Sequence, residues 1–418
     1  MLGKRLKPRL GGLFFWLAVI GPGIITGNVD NDAGGITTYS LAGAHYGTSL
    51  LWTLIPITAA LIVVQEMVAR MGAVTGRGLS DLIRERFGVK ATFWLLLGLL
   101  VANMANTVGN FAGVAAAGEV FGISKYITVP LGAIFVWWLV VKGTYKTVEK
   151  VFLTACLFYV SYVISGIMAK PHWGTFLRST VIPSFSFKPD YITMVIGLIG
   201  TTIAPWMQFY LQSSIVEKGV TAREYKYSRL DVVLGCFLTD LVSWFIVAAC
   251  AATLFRHGIR INDAKDAALA LRPLAGDYAA ALFGFGLFNA ALFAASILPL
   301  STAYSICEGM GWESGIDKSF REAPWFFGIY TALIVFGAGL VLIPKAPLIL
   351  MMYLSQVANG ILLPFILIFI QLLINDRHLM GEQVNSPWYN AIAWVTILVT
   401  IGLTVLLIFT TIFPGLFG

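Results

Sequence analysis

Long apolar stretches alternate with short polar ones along the whole chain, and neither a two-residue nor an amphipathic helical period dominates within the stretches. Each is long enough to cross a bilayer as a helix. Eleven spans are predicted: 13–43, 49–71, 92–118, 127–142, 147–169, 191–216, 231–255, 278–307, 325–343, 347–374 and 388–414. Two are interrupted. The first contains "GNVDNDAGG", with Gly27, Gly34 and Gly35 beside Asn28, Asp30, Asn31 and Asp32. Glycine disfavours continuous helix, and Asn and Asp compete for backbone hydrogen bonds, so this span reads as two half-helices around an unwound segment. The sixth contains Pro205, which removes an amide donor and breaks the helix at Ala204, with Gly197, Gly200, Thr201 and Thr202 loosening the turns before it.

Breaks five spans apart fit an inverted repeat of two five-span halves whose discontinuous helices meet at the membrane midplane. The expected architecture is therefore a single all-α transmembrane domain over 1–418, with repeats at 1–170 and 190–374 and an additional helix at 388–414. Composition agrees: 58% of the residues are hydrophobic and 12% charged, with a mean hydropathy of +0.82. No soluble core of this size hides that much apolar surface.

The net charge of +7 belongs to topology and lipid contact. Most of the 28 Lys and Arg fall in the amino-terminal tail, between Arg70 and Lys90, Lys142 and Lys150, Lys218 and Arg229, Lys318 and Arg321, and at Arg377. The positive-inside rule then places the amino terminus in the cytoplasm and the carboxyl terminus outside, in a plasma membrane. The opening "MLGKRLKPRLGGLFFWLAVI" shows no small-residue cleavage site and reads as the start of the first span. No basic, aromatic-interleaved patch points to nucleic acid. Cys156, Cys236, Cys250 and Cys307 lie singly within spans, and His45, His172, His257 and His378 at span ends or in loops. Without a Walker A, Rossmann or HExxH motif, neither an enzyme nor an ATP-driven pump is expected, and no cofactor or obligate protein partner is indicated.

Carboxylates at mid-bilayer are costly and are functional candidates by default. Asp30 and Asp32 in the first break would hold a cation, or else pair with loop lysines or remain protonated. Asp240 in the seventh span would add negative potential to the same cavity or serve a structural pairing. Glu66 and Arg70, one turn apart, form an (i, i+4) ion pair. The stretch "FRHGIRINDAKDAALALRPLAGDY" reads as a solvated amphipathic loop helix.

At these breaks the sequence resembles the NRAMP family of divalent-metal transporters, whose fold is the LeuT-type inverted repeat. The resemblance covers "GPGIITGNVDNDAGGITTYSLAGAHYGTSLLW", "QEMVARMGAVTGRGLSDLIRERFG", "IGTTIAPW", "YLQSSIVEKG" and "SQVANGILLPFILIFIQLLINDRHLMGE" in consistent order. It implies a metal site at Asp32, Gly35, the Thr201 carbonyl and Ala204, with Gln356 either approaching the metal or only bonding between helices. Asp30 and Asp240, the latter at a place where the family usually has asparagine, are added for their charge. The family's usual Asp-Pro-Gly-Asn becomes Asp32, Ala33, Gly34 and Gly35, and its Ala-x-x-Met-Pro-His becomes Thr201 to Trp206, so the asparagine and thioether ligands are lost. A thioether favours softer transition metals. The substitutions imply a roomier, all-oxygen site suited to hydrated Mg²⁺, which takes one or two carboxylates and keeps its waters.

Acidic residues and histidines that the family associates with proton movement align with Asn103, Asn110, Gly113, Trp206 and Gln212. A titratable relay is therefore absent, as in the NRAMP-related magnesium transporters, and Gly109 and Gly113 form a small-residue helix contact. Trp206 beside the site either restricts an exit or only packs. The expected function is uptake of Mg²⁺, and also Mn²⁺, down the ion's gradient without proton coupling. The alternatives are a proton-coupled Mn²⁺/Fe²⁺ importer using Asp240 or Glu119 and, less strongly, a sodium-coupled amino-acid symporter of the same fold.

Overall fold

The computed structural model describes residues 21–261, 266, 268, 276–345 and 348–412, all helix and connection with no strand. The first span is two helices, α1 (Pro22–Val29) and α2 (Ala33–Tyr46), followed by α3 (Leu54–Thr75), α4 (Leu79–Val120), α5 (Lys125–Lys142), α6 (Tyr145–Leu157), α7 (Val160–Met168) and the short α8 (Trp173–Val181). The second half holds α9 (Pro189–Thr202), α10 (Pro205–Glu217), α11 (Tyr225–Thr253), α12 (Asp277–Met310), α13 (Pro324–Leu342) and α14 (Leu348–Ile374). The short α15 (Arg377–Met380) and the additional α16 (Pro387–Ile412) follow.

Ten of the described helical segments are long and apolar enough to cross a membrane. The two halves of the first span, each shorter, complete the predicted set. Both breaks fall where the residue pattern put them. The third span begins earlier than expected, at Leu79, because Gly88 adopts φ 83° and bends α4 there, joining a polar first segment to the apolar remainder. The fifth span divides into α6 and α7. Half of the stretch read as an amphipathic loop helix lies outside the described residues.

The broken first span is fixed along α11. A side chain at Gly27 would strike the backbone of Gly235, so the two helices touch through main chain. Asp231 of α11 accepts from the amides of Gly21 (3.1 Å), Gly23 (2.7 Å) and Ile24 (3.3 Å), meeting the free N–H groups at the start of α1. Asn31 donates to the Thr239 carbonyl (2.9 Å) and hydroxyl (2.8 Å) and accepts from Ser243 (2.7 Å), while Tyr159 donates to its carbonyl (3.2 Å). The break itself is thus tied down in all directions. On the other side, Gly200 of α9 packs against the backbone of Gln356 and Gly360 of α14.

Glu66 and Arg70 form the expected ion pair at 3.1 Å. Arg70 extends it to the carbonyls of Gln383 (2.9 Å) and Val384 (3.0 Å) and to Asn385, and Tyr225 donates to Glu66. This buried knot joins α3 to α11 and to the segment before α16.

Candidate functional site

Asp32 has an extended backbone and is the N-cap of α2. Its Oδ1 accepts from Gly35 N at 2.6 Å, so the carboxylate sits at the positive end of the half-helix. Two side-chain amides complete its surroundings: Asn110 Nδ2 of α4 donates to Oδ2 (3.1 Å) and Gln356 Nε2 of α14 donates to Oδ1 (3.4 Å). The carboxylate is almost fully buried. Every group hydrogen-bonded to it is neutral.

The opposite wall is the second break. A carbonyl in α9 needs an N–H four residues on, and for Thr201 that residue is Pro205, which has none. The Thr201 carbonyl is therefore released by the sequence itself. Its hydroxyl is buried without a partner. A Cβ at Gly35 would lie 2.7 Å from this hydroxyl, 2.8 Å from the Asp30 carbonyl and 3.4 Å from Asp32 Oδ1. Four of the expected residues, Asp32, Gly35, Thr201 and Gln356, thus come together.

One expectation is corrected. Glycine at position 35 does not enlarge the cavity, because the Thr201 hydroxyl and the Asp30 carbonyl fill the volume that an asparagine side chain would need. Gly34 is likewise packed against the Gln356 amide. Ala204, buried at the start of α10, presents only a methyl group; its carbonyl accepts from Met207 N (3.1 Å) and, with the amide oriented to satisfy both neighbours, from Gln208 (2.7 Å).

Asp30 and Asp240 do not join the set of groups bonded to Asp32. Both are buried with neither carboxylate oxygen hydrogen-bonded.

The five positions aligned with the proton relay have other uses. Asn110 holds Asp32 and also accepts from Ala33 N (3.1 Å). Asn103 donates to Thr302 (2.8 Å). Gly113 is the close contact foreseen from its spacing with Gly109, for a side chain there would strike Ala33 and Ala291. Gln212 donates to the Arg77 carbonyl (2.9 Å). Trp206 is buried, its carbonyl accepting from Ser301 (3.0 Å) and its ring tilted against Tyr210 at 6.3 Å.

The sequence reading missed Asn110 as a site residue, along with Asn106 and Asn359, which bond to each other (3.1 Å) behind Gln356. The signal was present: Asn103, Asn106 and Asn110 lie on one face of α4 at helical spacing. A cavity of about 760 Å³, lined by His45, Ser49, Asp190, Met194, Arg260 and Tyr353, opens where α2 ends and α9 begins.

The chain matches the family described as natural resistance-associated macrophage protein-like, Nramp, over residues 23–410. It is 23% identical to the divalent metal cation transporter MntH of Bacillus subtilis, covering 97% of this chain and 95% of that protein. Against MntH of Pectobacterium carotovorum subsp. carotovorum it is 27% identical, covering 94% and 95%. Its structure resembles the Eremococcus coleocola manganese transporter with a TM-score of 0.76 at 20% identity, over 97% of this chain and 88% of that one. A more distant likeness, TM-score 0.56 at 14% identity over 94% and 93%, is to Mhp1, a nucleobase-cation-symport-1 family transporter. With the two broken helices, the buried aspartate at the first and the match across nearly its whole length, the chain belongs to the Nramp family of divalent-metal transporters.

Proposed function

We propose that this family member carries Mg²⁺, and also Mn²⁺, down the ion's electrochemical gradient without moving protons, as the NRAMP-related magnesium transporters do. The observation that carries the reading is the chemistry around Asp32: three amide donors, a released carbonyl and a hydroxyl from Thr201, and a methyl at Ala204 where the family has a thioether. Hard cations favour oxygen ligands such as the Asp32 carboxylate and the Thr201 carbonyl and hydroxyl, and Mg²⁺ keeps part of its water shell. Asp32 is the charge anchor, Thr201 and Gln356 the polar lining, and Trp206 the gate toward the cytoplasmic side. Gln356 turns its nitrogen to Asp32 and its oxygen to Asn359 Nδ2 (3.1 Å), so ligation by its oxygen requires the amide to rotate. The amino terminus is cytoplasmic and the membrane is the plasma membrane. An inside-negative potential of roughly 100 mV supplies about 4.6 kcal/mol for a divalent ion, enough to drive entry.

A second reading, a proton-coupled Mn²⁺/Fe²⁺ importer, draws on the unpartnered Asp30 and Asp240, which could carry a proton in place of the missing relay. A sodium-coupled amino-acid symporter is disfavoured, because the α2 N-terminus that would receive a substrate carboxylate already holds that of Asp32. Proteoliposomes containing the purified protein, with internal Mg²⁺ and pH dyes, decide among them. Mg²⁺ influx that requires Asp32 and brings no acidification is expected; Mn²⁺ influx with acidification and no Mg²⁺ influx selects the second reading.

A further inference from the structure

Another carboxylate outside the first break lacks a full set of partners. Glu308, in the last turn of α12, is half-buried; its Oε1 accepts from Ser213 of α10 (2.6 Å) and its Oε2 is buried with no hydrogen-bond partner. The carboxyl group lies directly over Gly78, in the space a side chain there would occupy. Two further oxygens converge on this turn. Gln212 spends its nitrogen on the Arg77 carbonyl, one residue away, and its Oε1 is buried without a partner. Ser80, packed against Gly309, has a buried hydroxyl that is also unpartnered. Of the guanidinium groups nearby, Arg77 pairs with Glu85, and Arg84 pairs with Asp81 (3.2 Å) and donates to the Gly309 carbonyl (3.5 Å), so neither is bonded to Glu308.

A buried carboxylate without a counter-charge costs several kcal/mol, and buried polar oxygens without donors add to that cost. Three such oxygens from three separate elements are what a hard cation resolves, since it satisfies them together and they offer it no competing positive charge. The location supports the same conclusion. From Asp32, the amides of Asn110, Asn106 and Asn103 descend α4; Asn103 passes to Thr302 of α12, and Ser305 and Glu308 follow on successive turns. Asn103 Oδ1 is itself unpartnered along this track. Amides do not relay protons by titration, whereas their oxygens can solvate a passing cation.

We propose that Glu308, Gln212 and Ser80 form a second, oxygen-lined cation site at the Arg77–Gly78 turn, which takes the same divalent ion after it leaves Asp32. The proposal rests on the transport reading above and adds a stage to it. With Mn²⁺ as the probe, electron paramagnetic resonance titration of the purified full-length protein should count two bound ions per chain in the wild type. One should remain in Glu308→Gln, one in Asp32→Ala and none in the double variant. Glu308→Asp should restore the count. In proteoliposomes, Glu308→Gln should slow Mn²⁺ entry about tenfold with KM unchanged, equivalent to about 1.4 kcal/mol on the exit step. Two ions bound by Glu308→Gln would overturn the proposal. If that variant does not fold, Ser80→Ala decides: weakening of one Mn²⁺ site with an unchanged unfolding temperature supports it, and unchanged affinity overturns it. A wild type that binds two ions and moves none would refute the transport reading while leaving the second site intact.

Discussion

Asn110 grips both sides of the first break: its Nδ2 donates to Asp32 Oδ2 at 3.1 Å while its Oδ1 accepts from Ala33 N at 3.1 Å. The residue aligned with a proton-relay position of the family therefore serves here to orient the Asp32 carboxylate. Replacing Asn110 by Ala leaves Asp32 Oδ2 and the Ala33 amide buried without partners, each costing about 1–3 kcal/mol. The expected result is a lower unfolding temperature and at least a tenfold weaker Mn²⁺ affinity, read by thermal unfolding and by titration of the same preparation; unchanged affinity would show that Asp32 is oriented by Gly35 and Gln356 alone.

Ala204→Met puts a thioether back beside Asp32. Because sulfur prefers softer ions, Cd²⁺ and Mn²⁺ should gain on Mg²⁺ by about tenfold, roughly 1.4 kcal/mol, in competition uptake assays. A variant that folds and keeps the wild-type Mg²⁺ to Cd²⁺ ratio would separate selectivity from this position.

Gly35→Asn, which restores the other family ligand, should fail for steric reasons. Its Cβ would come within 2.7 Å of the Thr201 hydroxyl and 2.8 Å of the Asp30 carbonyl, and a main-chain atom cannot turn aside as a flexible side chain can. Overpacking of this kind costs about 1–3 kcal/mol, so reduced yield and a depressed unfolding temperature are expected without any gain in Mn²⁺ affinity.

Asp231→Ala removes the acceptor for three amides at the start of α1. Loss of such a cap together with its charge costs about 2 kcal/mol, and the short α1 has few other anchors at that end. Transport should fall together with thermal stability, and Asp231→Asn should recover part of both. Unchanged stability and transport would show that α1 is held by its glycine contacts to α11 alone.

Trp206→Ala tests the gate. If the indole closes the path, uptake rises at unchanged binding affinity; if it only packs, loss of a large buried side chain costs about 3–5 kcal/mol and expression drops instead. Parallel measurement of uptake rate and protein yield distinguishes the two.

Much of this protein follows from local sequence. Apolar runs of membrane length fix the spans, because a bilayer leaves no alternative for so many unscreened peptide groups. Glycines with Asn and Asp in one span and Pro205 in another fix the two breaks, and Pro205 alone releases the Thr201 carbonyl. The buried ion pair of Glu66 and Arg70 and the tight packing at Gly113 were readable from helical spacing. What the sequence could not supply is direction. Asp30 and Asp32 are two residues apart, yet Asp32 is bonded to amides from α4 and α14 while neither oxygen of Asp30 is hydrogen-bonded, a difference set by the backbone between them. Whether Gly35 opens space or is filled depends on Thr201 of α9, and whether Asn110 is a vestige or a ligand holder depends on the approach of α4 to the break. Glu308, Gln212 and Ser80 meet only because α12, α10 and the start of α4 converge at one turn. Spans and breaks are decided by hydration and hydrogen bonding within a few residues, whereas partners more than two hundred residues apart are chosen by how the helices pack.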